Sequence, residues 1–261
     1  MSQSATSRAL TYTLVGLVLL FLILPILIVV PMSFSDARFL TFPPRAYSTR
    51  WYEAFFSNPA WMSAARTSVT VALLSTLVAT PIGCAAAYAI TYSSLRIMRL
   101  LRLMLMLPLM VPIIIVAIGV FLIYAQTGLL SSIPGLVLAN TMLGIPFVVL
   151  AVTAGLQSFD HTQEMVARSL GMNRFRAFIT VTLPQIRPSV VSGAIFVFIS
   201  SLDETVVALF ISGGEVQTLT RRMFTALRDE IDPTIAAIST LLTVTSFMLI
   251  LVIGAFQKRG D

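Results

Sequence analysis

Two adjacent carboxylates, Asp203 and Glu204, stand in the stretch SLDETVVALF, residues 201–210, inside an apolar run that begins after Pro188 and ends near Gly213. A charged side chain at a bilayer centre costs roughly 2.5–3.5 kcal/mol on insertion scales, so a pair of acids there needs a reason. Two chemistries fit. Acids that face a cavity hold a cation, and the cation makes their charge tolerable. Acids that face a neighbouring helix, or Arg66, hold a bundle together instead. Successive helical residues point about 100° apart, so the two carboxylates can divide these tasks. Ser200 and Ser201, one turn back, add polar surface beside them.

Other chemistries are excluded by what the chain lacks. Its one lysine is Lys258, and no G-x-x-x-x-G-K-[ST] occurs, so a phosphate-binding P-loop is impossible. The single histidine, His161, rules out H-E-x-x-H zinc chemistry and leaves no metal site to propose. There is no G-x-S-x-G elbow, and Val190 precedes Ser192-Gly193 where an intramembrane serine protease needs glycine. No catalytic residue is assigned, and the chain is expected to be neither an enzyme nor the holder of a cofactor. Cys84 is the only cysteine, so no intrachain disulfide forms.

The elements that must position the acids follow from hydropathy. Of 261 residues, 57% are hydrophobic and 11% charged, against about 25% charged in a soluble domain. An all-α integral membrane protein is expected. Six apolar stretches suffice to cross a core about 30 Å thick: 10–32, 66–91, 103–124, 135–157, 189–212 and 233–256. They form one transmembrane domain over 1–261, without a linker or internal repeat. Asp203 falls about 22 Å along the fifth span, beyond the midplane. Asn140, Thr141, Gly144 and Pro146 interrupt the fourth span and Pro108 and Pro112 the third, as gate hinges or static kinks.

Net charge is +6, with the basic residues in short loops. This fits membrane topology and lipid head groups rather than nucleic acid. Arg8, Arg96, Arg99, Arg102, Arg168, Arg174, Arg176, Arg187, Lys258 and Arg259 fall on one side, and Arg38, Arg45, Arg50, Arg66, Arg221, Arg222 and Arg228 on the other. The bias puts both termini in the cytoplasm. On the outer side, RWYEAFFSN reads as a short helix along the membrane surface, and the charges of 215–232, Glu230 included, face a binding protein or water.

The loop 158–188 carries FDHTQEMVARSLGMNRFRAFITVTLPQIRP. Asp160 with Gln163 at N3 reads as a capping box, and Gly171 as a left-handed helix stop. Asn173 caps a second helix, which Pro184 ends. Two short helices with an apolar face need something to pack against, either a cytoplasmic partner or the spans themselves.

This stretch resembles the EAA loop of permease subunits of type I ABC importers, whose pattern is E-A-A-x-x-x-G, nine residues, then I-x-L-P. Here Gly171 is followed by nine residues and then Val181-Thr182-Leu183-Pro184, while Val166-Ala167 occupy the Ala-Ala positions. Met165 stands where the family has glutamate, with Glu164 one residue earlier. AARTSVTVALLSTLVATPIGCAAAYAI, LPLMVPIIIVAIGVFLIY, SLDETVVALFISG and RRMFTALRDEIDPTIAAISTLL resemble the spermidine/putrescine branch, nearest its second paired permease.

The resemblance implies a type I importer permease fold in a bacterial inner membrane. It implies a heterodimer with a second permease, two cytoplasmic ATPase subunits that bind ATP and magnesium, and a periplasmic binding protein. It places Glu164, Met165, Val166, Ala167, Arg168, Leu170, Gly171, Arg174, Phe175, Leu183 and Pro184 at the ATPase. The expected pathway residues are Ser200, Ser201, Asp203, Glu204, Asn140 and Thr141. The substrate expected is a polyamine or related cation, with iron, opines, amino-acid derivatives and phosphonates as alternatives within the family. A self-contained channel or secondary transporter is the rival that dispenses with an ATPase, and a membrane enzyme is the third reading.

Overall fold

A backbone in lipid must satisfy its own amides and carbonyls, and apolar runs of twenty or more residues do so as helices. The computed structural model, which describes residues 5–229 and 232–257, follows this rule. Glu230, Lys258 and Arg259, together with the Arg8 side chain, lie outside the described residues.

The helices are α1 Ala5–Ser33, α2 Arg50–Ser57, α3 Pro59–Tyr92, α4 Ile97–Met110, α5 Ile113–Thr127, α6 Ile133–Ser158, α7 Thr162–Ser169, α8 Arg174–Ala177, α9 Leu183–Gln185, α10 Arg187–Asp203, α11 Val206–Ile211, α12 Leu219–Asp229 and α13 Thr234–Gln257. A π-helical turn, Phe178–Thr182, joins α8 to α9. Among the described residues, four helices are long and apolar enough to cross a membrane: Thr11–Ser33, Pro59–Tyr92, Ile133–Ser158 and Thr234–Leu251. Two bent pairs, Ile97–Met110 with Ile113–Thr127 and Arg174–Gln185 with Arg187–Asp203, raise the number to six if each pair is one span.

Two expected spans are not straight helices. The run 103–124 crosses a 104° bend. Pro112 causes it by pushing its predecessor out of helical geometry, and Val111 takes φ −82°, ψ 135°. The run 189–212 is broken after Asp203, where Glu204 is extended at φ −66°, ψ 114°, and α11 follows as a separate short helix. Pro108 and Pro146, by contrast, lie inside unbroken helices. One proline forfeits one hydrogen bond of the ladder, which a long packed helix tolerates.

The chain divides into two units. One comprises the residues up to Met62 with Thr225–Thr245. In it, α2 forms where the sequence predicts the surface helix, and Phe55 is buried. Ser33 Oγ and Tyr52 OH are 2.7 Å apart, the Phe34 and Tyr52 rings meet at 5.1 Å, and Arg50 pairs with Asp36 at 3.1 Å.

The other unit holds Ser63–Phe224 with Ser246–Asp261. Its core joins Ala79, Cys84 and Ala87 of α3, Val148, Val152 and Leu156 of α6, and Val197 of α10. A second cluster joins Ala117 and Tyr124 of α5 to Val207 and Ile211 of α11. Without a hydrophobic drive between helices in lipid, close approach must supply the packing energy. Gly144 provides it: a Cβ there would stand 2.7 Å from Val197 Cγ1.

Candidate functional site

The segment 158–188 folds as a hairpin of α7, α8, the π turn and α9. Its entry is held by Asp160, whose carboxylate accepts from the Thr162 amide at 2.9 Å. Hydrogen bonds from Thr162, its side chain first and this amide second, hold the Asp160 carboxyl below its ordinary carboxylate value. The expected capping box itself does not form: the Gln163 amide bonds to the Asp160 backbone carbonyl at 3.2 Å, and Gln163 Oε1 accepts from Gln185 Nε2 at 2.6 Å. The two glutamines thus tie the hairpin's start to its end.

The turn between the halves is a Schellman motif. The Met172 amide bonds to the Ala167 carbonyl at 3.2 Å and the Gly171 amide to Arg168 at 3.0 Å. Gly171 takes φ +96°, which glycine adopts without strain. Asn173 then caps α8, its Oδ1 accepting from the Arg176 amide at 2.8 Å. Pro184 does not end the helix here. Proline lacks an amide and crowds the carbonyl four residues back. The π turn widens the coil at that point: the Leu183 amide bonds to Phe178, five residues back, and the helix continues to Gln185.

What the hairpin turns outward is apolar. Leu170 is 80% and Phe175 75% exposed, and Met165, Val166 and Ile179 are exposed with them. Arg168, Arg174 and Pro184 are also exposed, Leu183 is half-buried, and Ala167 is buried. Glu164 points the other way and is 0% exposed. Its carboxylate accepts from Tyr88 OH on α3, and from Thr182 Oγ1 at 2.6 Å. His161 Nδ1 stands 3.8 Å away. Arg174 donates from Nε to Tyr88 OH at 3.3 Å and lays its guanidinium 4.9 Å over the same ring.

Eleven residues of the chain were expected at a partner surface; ten of them share this hairpin surface or its frame, while Glu164 is turned into the interior. The donors that receive it, Tyr88 and Thr182, and the His161 ring beside them were not anticipated as a set. The available signal was the i, i+4 spacing of Tyr88 and Tyr92, which puts two hydroxyls on one helical face.

The acidic pair separates. Glu204 caps α11, its carboxylate accepting from the amides of Val207 at 2.7 Å and Ala208 at 2.8 Å. Its backbone carbonyl accepts from Thr220 Oγ1 at 2.8 Å. Asp203, the last residue of α10, is exposed, and among the described residues its carboxylate forms no ion pair. No bond to Arg66 is present for either acid among the described residues, and Arg66 is itself exposed. Ser200 is half-buried, and among the described residues the buried Ser201 Oγ has no hydrogen-bond partner. Asn140 and Thr141 are buried in α6, where Asn140 Nδ2 donates to the Leu136 carbonyl at 2.9 Å.

Comparison with known proteins agrees with this architecture. The family of binding-protein-dependent transport system inner membrane components matches residues 79–260. The chain is 30% identical over 242 residues to the spermidine/putrescine transport system permease protein PotC of Haemophilus influenzae, covering 92% of this chain and 93% of the relative. It is also 30% identical over 233 residues to the putrescine transport system permease protein PotI of Escherichia coli K12, covering 85% and 81%. Among solved structures, a chain of a bacterial ABC transporter involved in alginate import superposes with TM-score 0.74 at 15% identity, covering 98% of this chain and 99% of that one. The chain belongs to the binding-protein-dependent transport system inner membrane components, the multi-pass permease subunits of ABC importers.

Proposed function

We propose that this permease passes a polyamine of the spermidine/putrescine class across a bacterial inner membrane by alternating access. In this reading it has six spans, each bent pair counting as one, with both termini and the hairpin in the cytoplasm. Its companions are a second permease, a periplasmic binding protein and two ATPase subunits that carry ATP and magnesium. The names of the two permease relatives support the substrate class.

The observation that carries the reading is the outward apolar face of the hairpin, with Leu170 and Phe175 almost fully exposed on a frame anchored from within by Glu164. Large apolar side chains held rigid at a surface fit a partner's cleft. Nucleotide-driven closure of the ATPase pair then displaces the hairpin, and the spans switch between two packed states. Asp203 offers the passing cation a carboxylate without competing protein cations bound to it. Glu204 contributes at a distance, by holding α11 in place.

The test is purification of the complex with its binding protein and identification of the co-purifying solute by mass spectrometry. A di- or triamine supports the substrate class, and a metal or anion overturns it. Phe175→Glu, on the exposed face, is expected to abolish recovery of the ATPase while the permease itself remains folded. Undiminished ATPase recovery would remove the hairpin from the interface.

A further inference from the structure

Glu164 is the buried charge that docking leaves without a task. Three elements converge on it: its own helix α7, the π turn through Thr182, and α3 through Tyr88. Tyr88 is gripped from the second half of the hairpin as well, by Arg174 at 3.3 Å and edge-on by Phe178 at 5.0 Å. One turn further along α3, Tyr92 stacks on His161 at 3.9 Å and 15°, and its hydroxyl donates to the Leu156 carbonyl of α6 at 3.2 Å.

Chain continuity joins the hairpin directly to α6 and α10, but not to α3. Whatever moves the hairpin reaches α3 only through non-covalent contacts, and the polar ones centre on Glu164 and Tyr88. A buried carboxylate resists losing its donors, because the unpaired charge has no water to replace them. We infer that Glu164 and Tyr88 are positioning residues of the transport cycle: their half-buried hydrogen bond fastens α3 to the hairpin, so that α3 travels with α6 and α10. This rests on the hairpin being the element that the ATPase drives. The glutamate one place before the usual position is thereby an internal clasp rather than a contact with the partner.

The experiment uses the complete complex in proteoliposomes, with ATPase and binding protein, and reads three quantities: ATPase recovered, ATP hydrolysed, and solute imported per ATP, with putrescine as probe. Tyr88→Phe keeps the ring and removes only the hydroxyl. Glu164→Ala removes the acceptor, and Glu164→Gln keeps an acceptor while the Thr182 hydroxyl is free to reverse its role. Tyr88→Phe and Glu164→Ala are expected to retain ATPase and hydrolysis but to import about tenfold less solute per ATP, the scale of a buried charge-assisted hydrogen bond. Glu164→Gln recovers most of the loss, and the double variant is no worse than Glu164→Ala alone.

Unchanged import per ATP in Tyr88→Phe and Glu164→Ala overturns the inference. So does a fall of recovery, hydrolysis and import in equal proportion, since that describes a stability role only. Failure of the unmodified permease to recover any ATPase is a separate result, and it overturns the reading of the hairpin on which the inference rests.

Discussion

The carboxylate of Glu204 closes onto the amide of Ala208 at 2.8 Å, and with Val207 beside it the first turn of α11 is satisfied by a side chain of the preceding break. A six-residue helix has too few internal bonds to stand alone, so this cap and the packing against α5 decide whether it forms. Its neighbour Asp203, one residue earlier, has no such duty. The same pair of charges therefore serves structure with one member and leaves the other exposed.

Loss of the cap should appear as loss of stability. Glu204→Ala is expected to destabilise the permease by about 1–2 kcal/mol, the usual cost of removing an N-terminal helix cap. Glu204→Gln, which retains an acceptor, should cost less. Thermal unfolding of the detergent-solubilised protein measures both, and equal unfolding temperatures for Glu204→Ala and the unmodified chain would refute the capping role.

Asp203→Asn should give the opposite signature. The unfolding temperature is expected to stay unchanged, because among the described residues no ion pair is lost. Uptake of radiolabelled putrescine by the reconstituted complex should fall by about tenfold or more, since the amide cannot offset a cation's charge. Wild-type uptake in this variant would move the pathway elsewhere.

Gly171→Ala tests the hairpin's turn. A Cβ at this position meets nothing within 4 Å, so the whole penalty is the strain of φ +96°. That strain amounts to about 1–2 kcal/mol. The turn relieves it by opening, which tilts α7 against α8. The expected outcome is a permease of near-normal unfolding temperature that recovers less ATPase than the unmodified chain.

Gly144 tests close packing inside the second unit. Gly144→Ala puts a methyl 2.7 Å from Val197 Cγ1, and the overpacking should cost about 1–3 kcal/mol. Val197→Ala removes the obstructing methyls. Combined, the two substitutions should be less harmful than their sum, and strict additivity in unfolding free energy would show that the helices do not meet there.

At low pH, Asp160 sets the behaviour of the hairpin entry. Its carboxyl is held below the ordinary value of 3.8 in the folded chain, so its contribution is complete above that value and disappears as pH falls through the lower folded one. Hydrogen exchange at the Thr162 amide should remain slow through the ordinary carboxylate range and quicken only below it. Asp160→Asn should flatten that dependence.

Local signals in the chain were legible and distant ones were not. Gly171, Asn173 and the surface helix 50–57 could be read because each depends on residues within a turn or two of itself. The long apolar runs announced α1, α3, α6 and α13 for the same reason. The bend at Pro112 and the early end of α10 escaped, since hydropathy continues smoothly across both while the backbone does not. Glu164 carried no readable sign of its fate, because its donor Tyr88 lies 76 residues away and only folding brings them together. Asn140 and Thr141 suggested a polar interruption, yet α6 absorbs them, with the Asn140 amide returned to its own helix.

The π turn at Phe178–Thr182 has a bearing on length as well as on Pro184. Each residue of a regular helix advances the azimuth by about 100°, and the wider coil takes up part of one such step. Phe175 on one side and Thr182 on the other therefore hold opposite bearings, outward and inward, only for this number of intervening residues. Shortening the segment by a single position would swing the aromatic surface round toward the spans, with every side chain still present. The nine residues between Gly171 and Val181 thus act as a phase setting, and drift in their number should be far less tolerable than drift in their identity.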